Sequence, residues 1–217
     1  MPSPQQSISL HPHEEEILIA LTFRVPFLSE AQAAFTWWGS GSVARAKARR
    51  RFRALEQAGL IEQFVEFVRR DTPPREPLVV WRPGDPQPDL IALSSTLRGL
   101  SERGLVQRRL LLGTAMAAEL VGGRPGRRPR RSEVSHDLRI ADVFLIFRRE
   151  FPGRARYWFH ESAVPLRNRR FGEVVPDVMI VTKRRTTVIE VAGEYSARHL
   201  AALHDHCRAS GYAYELW

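Results

Sequence analysis

Two α+β units joined in one chain are the fold this sequence predicts, and three observations predict it. Apolar residues recur at helical spacing in three short N-terminal segments and then give way to two strand-like runs between Leu60 and Arg82. The last third reads helix, three strands, helix, strand, an αβββαβ order. Between these parts Gly122 to Arg131 is a run of Pro, Gly and Arg that excludes regular structure. The predicted divisions are residues 8–83, a connector over 84–133, and 134–217. A chain of 217 residues, 43% of them hydrophobic, is long enough to bury two modest cores.

The first helix is expected over Glu14 to Thr22, where Glu14, Glu15 and Glu16 favour the positive end of the helix dipole. Val25-Pro26 interrupts it. Ser29 has the chemistry of an N-cap for a second helix, Glu30 to Trp37, and Gly39-Ser40-Gly41 makes the turn that follows. A third helix runs from Ser42 to Ala58 and stops at Gly59. Val43, Ala48, Phe52 and Leu55 are its expected apolar positions, while Arg45, Lys47, Arg49, Arg50, Arg51 and Arg53 occupy much of the remaining surface. Strands are expected at Leu60 to Val68 and, after Pro73-Pro74, at Pro77 to Arg82. Three helices followed by a β-hairpin is the order of a winged helix-turn-helix, in which the third helix reads DNA and the hairpin is the wing. The helix-glycine-strand junction Leu55 to Ile61 resembles the one common in that superfamily.

Beyond the turn-rich Gly84 to Asp89, one helix or two are expected from Leu90 to Leu100, resuming through Leu112. The segment that follows carries Arg124, Arg127, Arg128, Arg130 and Arg131 and reads as a flexible basic strap suited to a phosphate backbone. The formal charge of +9, from 33 Lys and Arg against 24 Asp and Glu, favours a polyanionic partner, and double-stranded DNA is the expectation. The single cysteine, Cys207, cannot form an internal disulfide. Leu110 to Val121, the longest apolar stretch, contains Glu119 and falls short of the ~20 residues a membrane-spanning helix needs. Met1 to Gln6 lacks a signal-peptide pattern, so a cytoplasmic protein without a membrane partner is expected.

In the C-terminal part a helix is expected over His136 to Arg149, then strands at Arg156 to Ser162, Val174 to Thr182 and Thr187 to Val191. A second helix at Ser196 to Ala209 and a strand at Tyr212 to Trp217 complete it. Lys183-Arg184-Arg185 forms a hairpin turn, which sets Asp177 at the start of one strand beside Glu190 at the end of its antiparallel partner. Alternation turns Glu190 away from Ile189 and Val191, and a carboxylate in a covered sheet is costly unless paired or metal-bound.

This order, with Pro176-Asp177 and a downstream Glu190, resembles the PD-(D/E)xK superfamily of restriction-endonuclease-like folds. The motifs Ser135-His136-Asp137-Leu138, Trp158-Phe159-His160-Glu161, Val175-Pro176-Asp177 and Ile189-Glu190-Val191 resemble more closely the replication-relaxation family of plasmid and mobile-element proteins. That resemblance implies a DNA-binding protein tied to replication, mobilisation or defence of mobile DNA. The wider superfamily resemblance implies that Asp177, Glu190 and the Val191 carbonyl hold Mg²⁺ or Mn²⁺, with Glu161 as a further acidic residue, and that a lysine stands two residues after Glu190, where the replication-relaxation pattern has another acidic residue. Here that residue is Ala192. Lys183, Arg198 and His199 are the candidates for a replacement base.

Three functions are consistent with these residues. The first is a DNA-binding protein with a degenerate nuclease-like domain. The second is a Mg²⁺-dependent DNA endonuclease using Asp177, Glu190 and Glu161. The third is an interaction module in which exposed Trp37, Trp38, Trp81 and Trp217 anchor a protein partner. Neither a Cys-x-x-Cys nor a His-Glu-x-x-His motif is present, which argues against zinc, and the absence of a Gly-Lys-Ser/Thr loop argues against an NTPase.

Overall fold

The computed structural model describes residues 9–70, 74–99, 104–160 and 175–217. It is a mixed α+β protein whose chain divides into two compact units, each assembled from two segments. Unit 1 takes residues up to Val68 and Leu105–Ala141; unit 2 takes Arg69–Gly104 and Asp142–Trp217. The chain thus passes between the units more than once, which the expected divisions at residues 83 and 133 did not anticipate.

In unit 1, helix α1 (Pro12–Ile19) starts at a proline, and its free end is closed by a capping box. The His11 ring accepts from His13 N–H, and Glu14 accepts from His11 N–H at 2.7 Å. A π-helical turn over Ala20–Arg24 ends it, and strand β1 (Leu28–Ser29) follows. Helix α2 (Glu30–Trp38) has the expected Ser29 cap, its Oγ accepting from Gln32 N–H at 3.1 Å. Helix α3 (Ser42–Gln57) buries Ala48, Phe52 and Leu55. Val43, in contrast, is 82% exposed. It lies five residues before Ala48, which is about 140° away around the helix, off the buried face.

Strand β2 (Ile61–Arg69) leads out of this three-helix layer. The next two elements, β3 (Val79–Trp81) and α4 (Leu90–Gly99), belong to unit 2, and strand β4 (Leu105–Gly113) returns to unit 1, where the sheet order is β1-β4-β2. Two sequence expectations are corrected here. The strand partnering β2 is β4, and the segment read as helix resuming through Leu112 is that strand. A run of consecutive apolar residues fits a covered strand as well as a helix; here Leu110, Leu111 and Leu112 are all buried, filling both faces. Phe27, Phe64, Val68, Leu110, Leu112, Val134 and Leu138 form one core. Helix α5 (Ala115–Val121) is capped by Thr114, whose hydroxyl accepts from Ala117 N–H and donates to Gly59 C=O at 2.6 Å.

Helix α6 (Val134–Glu150) opens the expected αβββαβ run, followed by a short α7 (Pro152–Ala155), β5 (Trp158–His160), β6 (Val178–Val181), β7 (Thr186–Glu190), α8 (Ala197–Ser210) and β8 (Ala213–Leu216). Among the described residues of unit 2 the strands form one sheet, β3-β8-β7-β6-β5, antiparallel except for the parallel β7 and β8 pair. Strand β3 is held there because Trp81 pairs in register with Tyr214, stacks on its ring at 5.4 Å and lies edge-on to His204. One sheet face carries Val188, Tyr214 and Leu216 against α4 (Leu90, Leu97) and α8 (Leu200, Leu203, Cys207). On the opposite face Phe144 and Phe147 of α6 pack against Trp158, and Phe147 also meets Trp217. Among the described residues no helix is long and apolar enough to cross a membrane.

Candidate functional site

The expected basic helix is present, and its cations fall into two sets. Arg51 is half-buried and held by Glu14, with Nε at 2.5 Å from one carboxylate oxygen and Nη2 at 2.6 Å from the other; this hydrogen bonding raises its already high pKa. Arg49 donates to Glu30 at 2.6 Å, which likewise raises the guanidinium pKa, and Arg109 of β4 approaches the same carboxylate at 3.6 Å. Arg49 and Arg51 are thus committed to partners within the protein. Arg45, Lys47, Arg50 and Arg53 are at least partly exposed and have no carboxylate within ion-pair distance among the described residues. Lys47, Arg50 and Arg53 lie on the side of α3 away from Ala48, Phe52 and Leu55, while Arg45 flanks the apolar face about 60° from Ala48, so an apolar face anchors the helix and a cationic surface meets solvent. Arg108, exposed on β4, adds a cation that the helical reading of that segment had hidden.

The Pro-Gly-Arg segment is docked on unit 1 rather than hanging free. Arg124 N–H donates to Thr22 C=O at 3.1 Å, and Gly126 N–H to Gly113 C=O at 2.8 Å. Gly126 is required by this approach: a Cβ there would lie 2.4 Å from Leu112 Cδ1 and 3.2 Å from Gly113 O. Arg124, Arg127, Arg128, Arg130 and Arg131 all reach solvent. Arg127 and Arg130 approach Glu133, and Arg128 pairs with Glu62 while its guanidinium lies 5.0 Å from the Phe64 ring centre. The segment therefore offers a fixed row of cations, several partly neutralised.

In unit 2, pairing of Val178 with Ile189 brings Asp177 and Glu190 together just beyond the last ladder position. The pair is buried, with Asp177 8% and Glu190 3% exposed. Asp177 N–H donates to Glu190 Oε2 at 3.3 Å, Val191 N–H to Asp177 Oδ2 at 2.8 Å, and Tyr195 O–H to Glu190 Oε1 at 2.9 Å. Val191 thus reaches the pair through its amide N–H. Tyr195 has no signal in the sequence, since only the tight turn between Glu190 and the Ser196 cap of α8 carries it back. Glu161 lies outside the described residues, and among those described no group of three or more His, Cys, Asp or Glu is placed to hold a metal ion.

Ala192 is 1% exposed and sits in the core with Trp81, Leu200 and Leu203. The position where a lysine was expected is thus filled by packing under α4 and α8. Of the candidate replacements, Lys183 is in the turn at the far end of the β6/β7 hairpin, about 15 Å from the pair at strand spacing. Arg198 is exposed. His199 stacks on Tyr195 at 4.1 Å, one side chain removed from Glu190. Cys207 is also near: burial, then the charge of Glu190, push its thiol up to about 12, so it stays protonated and inert as a nucleophile.

Of the four tryptophans expected as exposed anchors, three are core residues. Trp37, Trp81 and Trp217 are 5%, 3% and 3% exposed, and Trp38 is half-buried. Internal partners hold them, such as Glu16 for the Trp37 indole N–H at 2.9 Å and Asp85 C=O for that of Trp81 at 3.1 Å. Comparison with known proteins returns no family model, no curated protein and no solved structure that matches this chain.

Proposed function

We propose that this chain is a DNA-binding protein in which α3 enters a groove of the duplex as the reader of a winged helix-turn-helix, and in which the nuclease-like unit is kept for binding rather than hydrolysis. The observation that carries this reading is the division of α3 into an anchored apolar face and an exposed surface bearing Lys47, Arg50 and Arg53, with exposed Arg45 at its flank, and no internal counterions for these four among the described residues. Cations left without partners on a rigid element are what phosphate neutralisation uses. The docked row from Arg124 to Arg131 extends the positive surface of the same unit. The setting this suits, following the resemblance to the replication-relaxation family, is a plasmid, mobile element or its defence, in the cytoplasm.

For unit 2, burial of Asp177 and Glu190, the chain's own donors on at least three of their oxygens, and a packed Ala192 favour a structural carboxylate pair. The rival reading, a Mg²⁺- or Mn²⁺-dependent endonuclease, is favoured by the adjacency of the two carboxylates. If the ion binds there, Asp177, Glu190 and the Val191 carbonyl are its ligands, and the metal would supply charge neutralisation at the phosphate.

Duplex retardation measured across a salt series tests the first reading. Replacing Arg45, Arg50 and Arg53 by Gln together should weaken binding by about tenfold or more and lower the salt slope by about 0.9 for each phosphate no longer neutralised. An unchanged slope removes α3 from the interface. Supercoiled plasmid incubated with Mg²⁺, Mn²⁺ or EDTA tests the second: retardation without nicking is expected, and metal-dependent nicking abolished in Asp177→Ala would establish the endonuclease instead.

A further inference from the structure

Beside the N-terminal half of α3, within unit 1, lies a cleft of about 660 Å³ between the start of α1 and the end of α2. Its walls include His13, Trp38, Val43, Lys47, Arg50 and Arg51. The rings of His13 and Trp38 meet edge to face at 5.9 Å, and Trp38 is fixed from behind by Phe52 at 5.3 Å, so the aromatic wall is rigid. Val43, 82% exposed, extends the apolar surface at the rim.

The charge on this cleft has one sign. Among the described residues no Asp or Glu lines it, and the charge of Arg51 is already met by Glu14. Lys47 and Arg50 keep theirs, because neither has a carboxylate within ion-pair distance among the described residues. Lys47 and Arg50 are three apart on one helix and so project side by side. An apolar ligand would leave these two charges unused, and a bare phosphate would leave the aromatic wall unused. A ligand with a flat ring and an attached anion uses both, and a nucleotide is that ligand.

We propose that this cleft takes the base of an unpaired nucleotide against Trp38 and His13, with the adjoining phosphates on Lys47 and Arg50. This rests on the reading of α3 as the nucleic-acid face, since Lys47 and Arg50 of the cleft adjoin the exposed Arg53 on the same helix, three residues beyond Arg50. The preferred DNA is then a duplex with a single-stranded end or a melted position, because a fully paired base cannot leave its stack to enter without cost.

The test compares the full chain's affinity for a blunt duplex, for the same duplex carrying a short oligothymidylate tail, and for a longer blunt duplex with the phosphate count of the tailed one. The tailed duplex should bind about tenfold tighter than the longer blunt one. In His13→Ala combined with Lys47→Gln that ratio should fall to about one, whereas Arg53→Gln, outside the cleft, should weaken all three duplexes and keep the ratio. Equal binding of the tailed and longer blunt duplexes by the wild type overturns the cleft and leaves the reader helix standing. Failure to bind any of the three overturns both. Competition by free thymidine monophosphate at concentrations as low as those of the tailed duplex would assign the cleft to a free nucleotide and overturn the strand-end proposal.

Discussion

Glu14 has no exposed surface, and donors from two places converge on it: His11 N–H three residues before and Arg51 37 residues after. Its place in the first turn of a helix is local and legible; its second partner depends on where α3 lands. The same division between local and distant causes governs two predictions for unit 2. Ala192 lies under α4 and α8 among apolar side chains, so Ala192→Lys would have to bury an ammonium or open the core. We expect it to cost roughly 3 kcal/mol or more and to confer no plasmid nicking; denaturant unfolding together with the plasmid assay checks both. His204 is 2% exposed, with Nδ1 3.2 Å from the Tyr214 hydroxyl and its ring edge-on to Trp81. Burial lowers its pKa below 6.5; Asp205 opposes that and Arg208 adds to it. A histidine whose folded pKa is depressed binds its proton more readily when unfolded. Stability from its neutral form is therefore full above pH 6.5 and is lost as pH falls from there toward the folded value, at up to about 1.4 kcal/mol per pH unit. Unfolding measured from about pH 7.5 to about pH 5 should show a steeper loss for wild type than for His204→Phe.

At the scale of elements, periodicity told most where one face alone is buried. In α3 the spacing of Ala48, Phe52 and Leu55 located both the anchored face and, by subtraction, the cationic one. In the β6/β7 hairpin, alternation and a basic turn placed Asp177 beside Glu190, because register within a tight hairpin is a local property. In β4 periodicity fails. Burial there runs from exposed to fully buried along one strand, and Leu110-Leu111-Leu112 has no period to read. The Pro-Gly-Arg segment was legible as irregular backbone, yet its docking depends on distant carbonyls of Thr22 and Gly113. Gly126→Ala puts a methyl group against the buried Leu112 side chain and the Gly113 carbonyl. Overpacking of this kind costs about 1–3 kcal/mol, and the destabilisation should appear as a lower thermal midpoint with unchanged secondary structure.

For the whole molecule the consequential feature is that neither unit is continuous in sequence. Unit 1 needs Leu110, Leu112, Val134 and Leu138 to close the core around Phe27, Phe64 and Val68; unit 2 needs Trp81, Leu90 and Leu97 from the segment before them. A fully buried side chain of this size contributes about 1.5–3 kcal/mol. Removing several of them takes away an amount comparable with the roughly 5–15 kcal/mol by which a whole domain is stable. A fragment of residues 1–83, cut at the first boundary the sequence suggests, should therefore fail to unfold cooperatively. A fragment of residues 134–217, which lacks β3 and α4, should do the same. A sharp denaturation transition in either fragment would contradict the interleaved arrangement.

By itself the sequence determined the α+β class, the Ser29 cap, the basic third helix, the αβββαβ order and the meeting of Asp177 with Glu190. Each follows from side chains within a turn or two, or across one tight hairpin, where spacing fixes geometry. Tertiary structure alone decided that β3 joins β8, that β4 rather than β3 lies beside β2, that Trp37, Trp81 and Trp217 face inward, and which arginines keep their charge for a partner. Those outcomes turn on contacts between residues far apart in the chain, which neither a period nor a motif encodes.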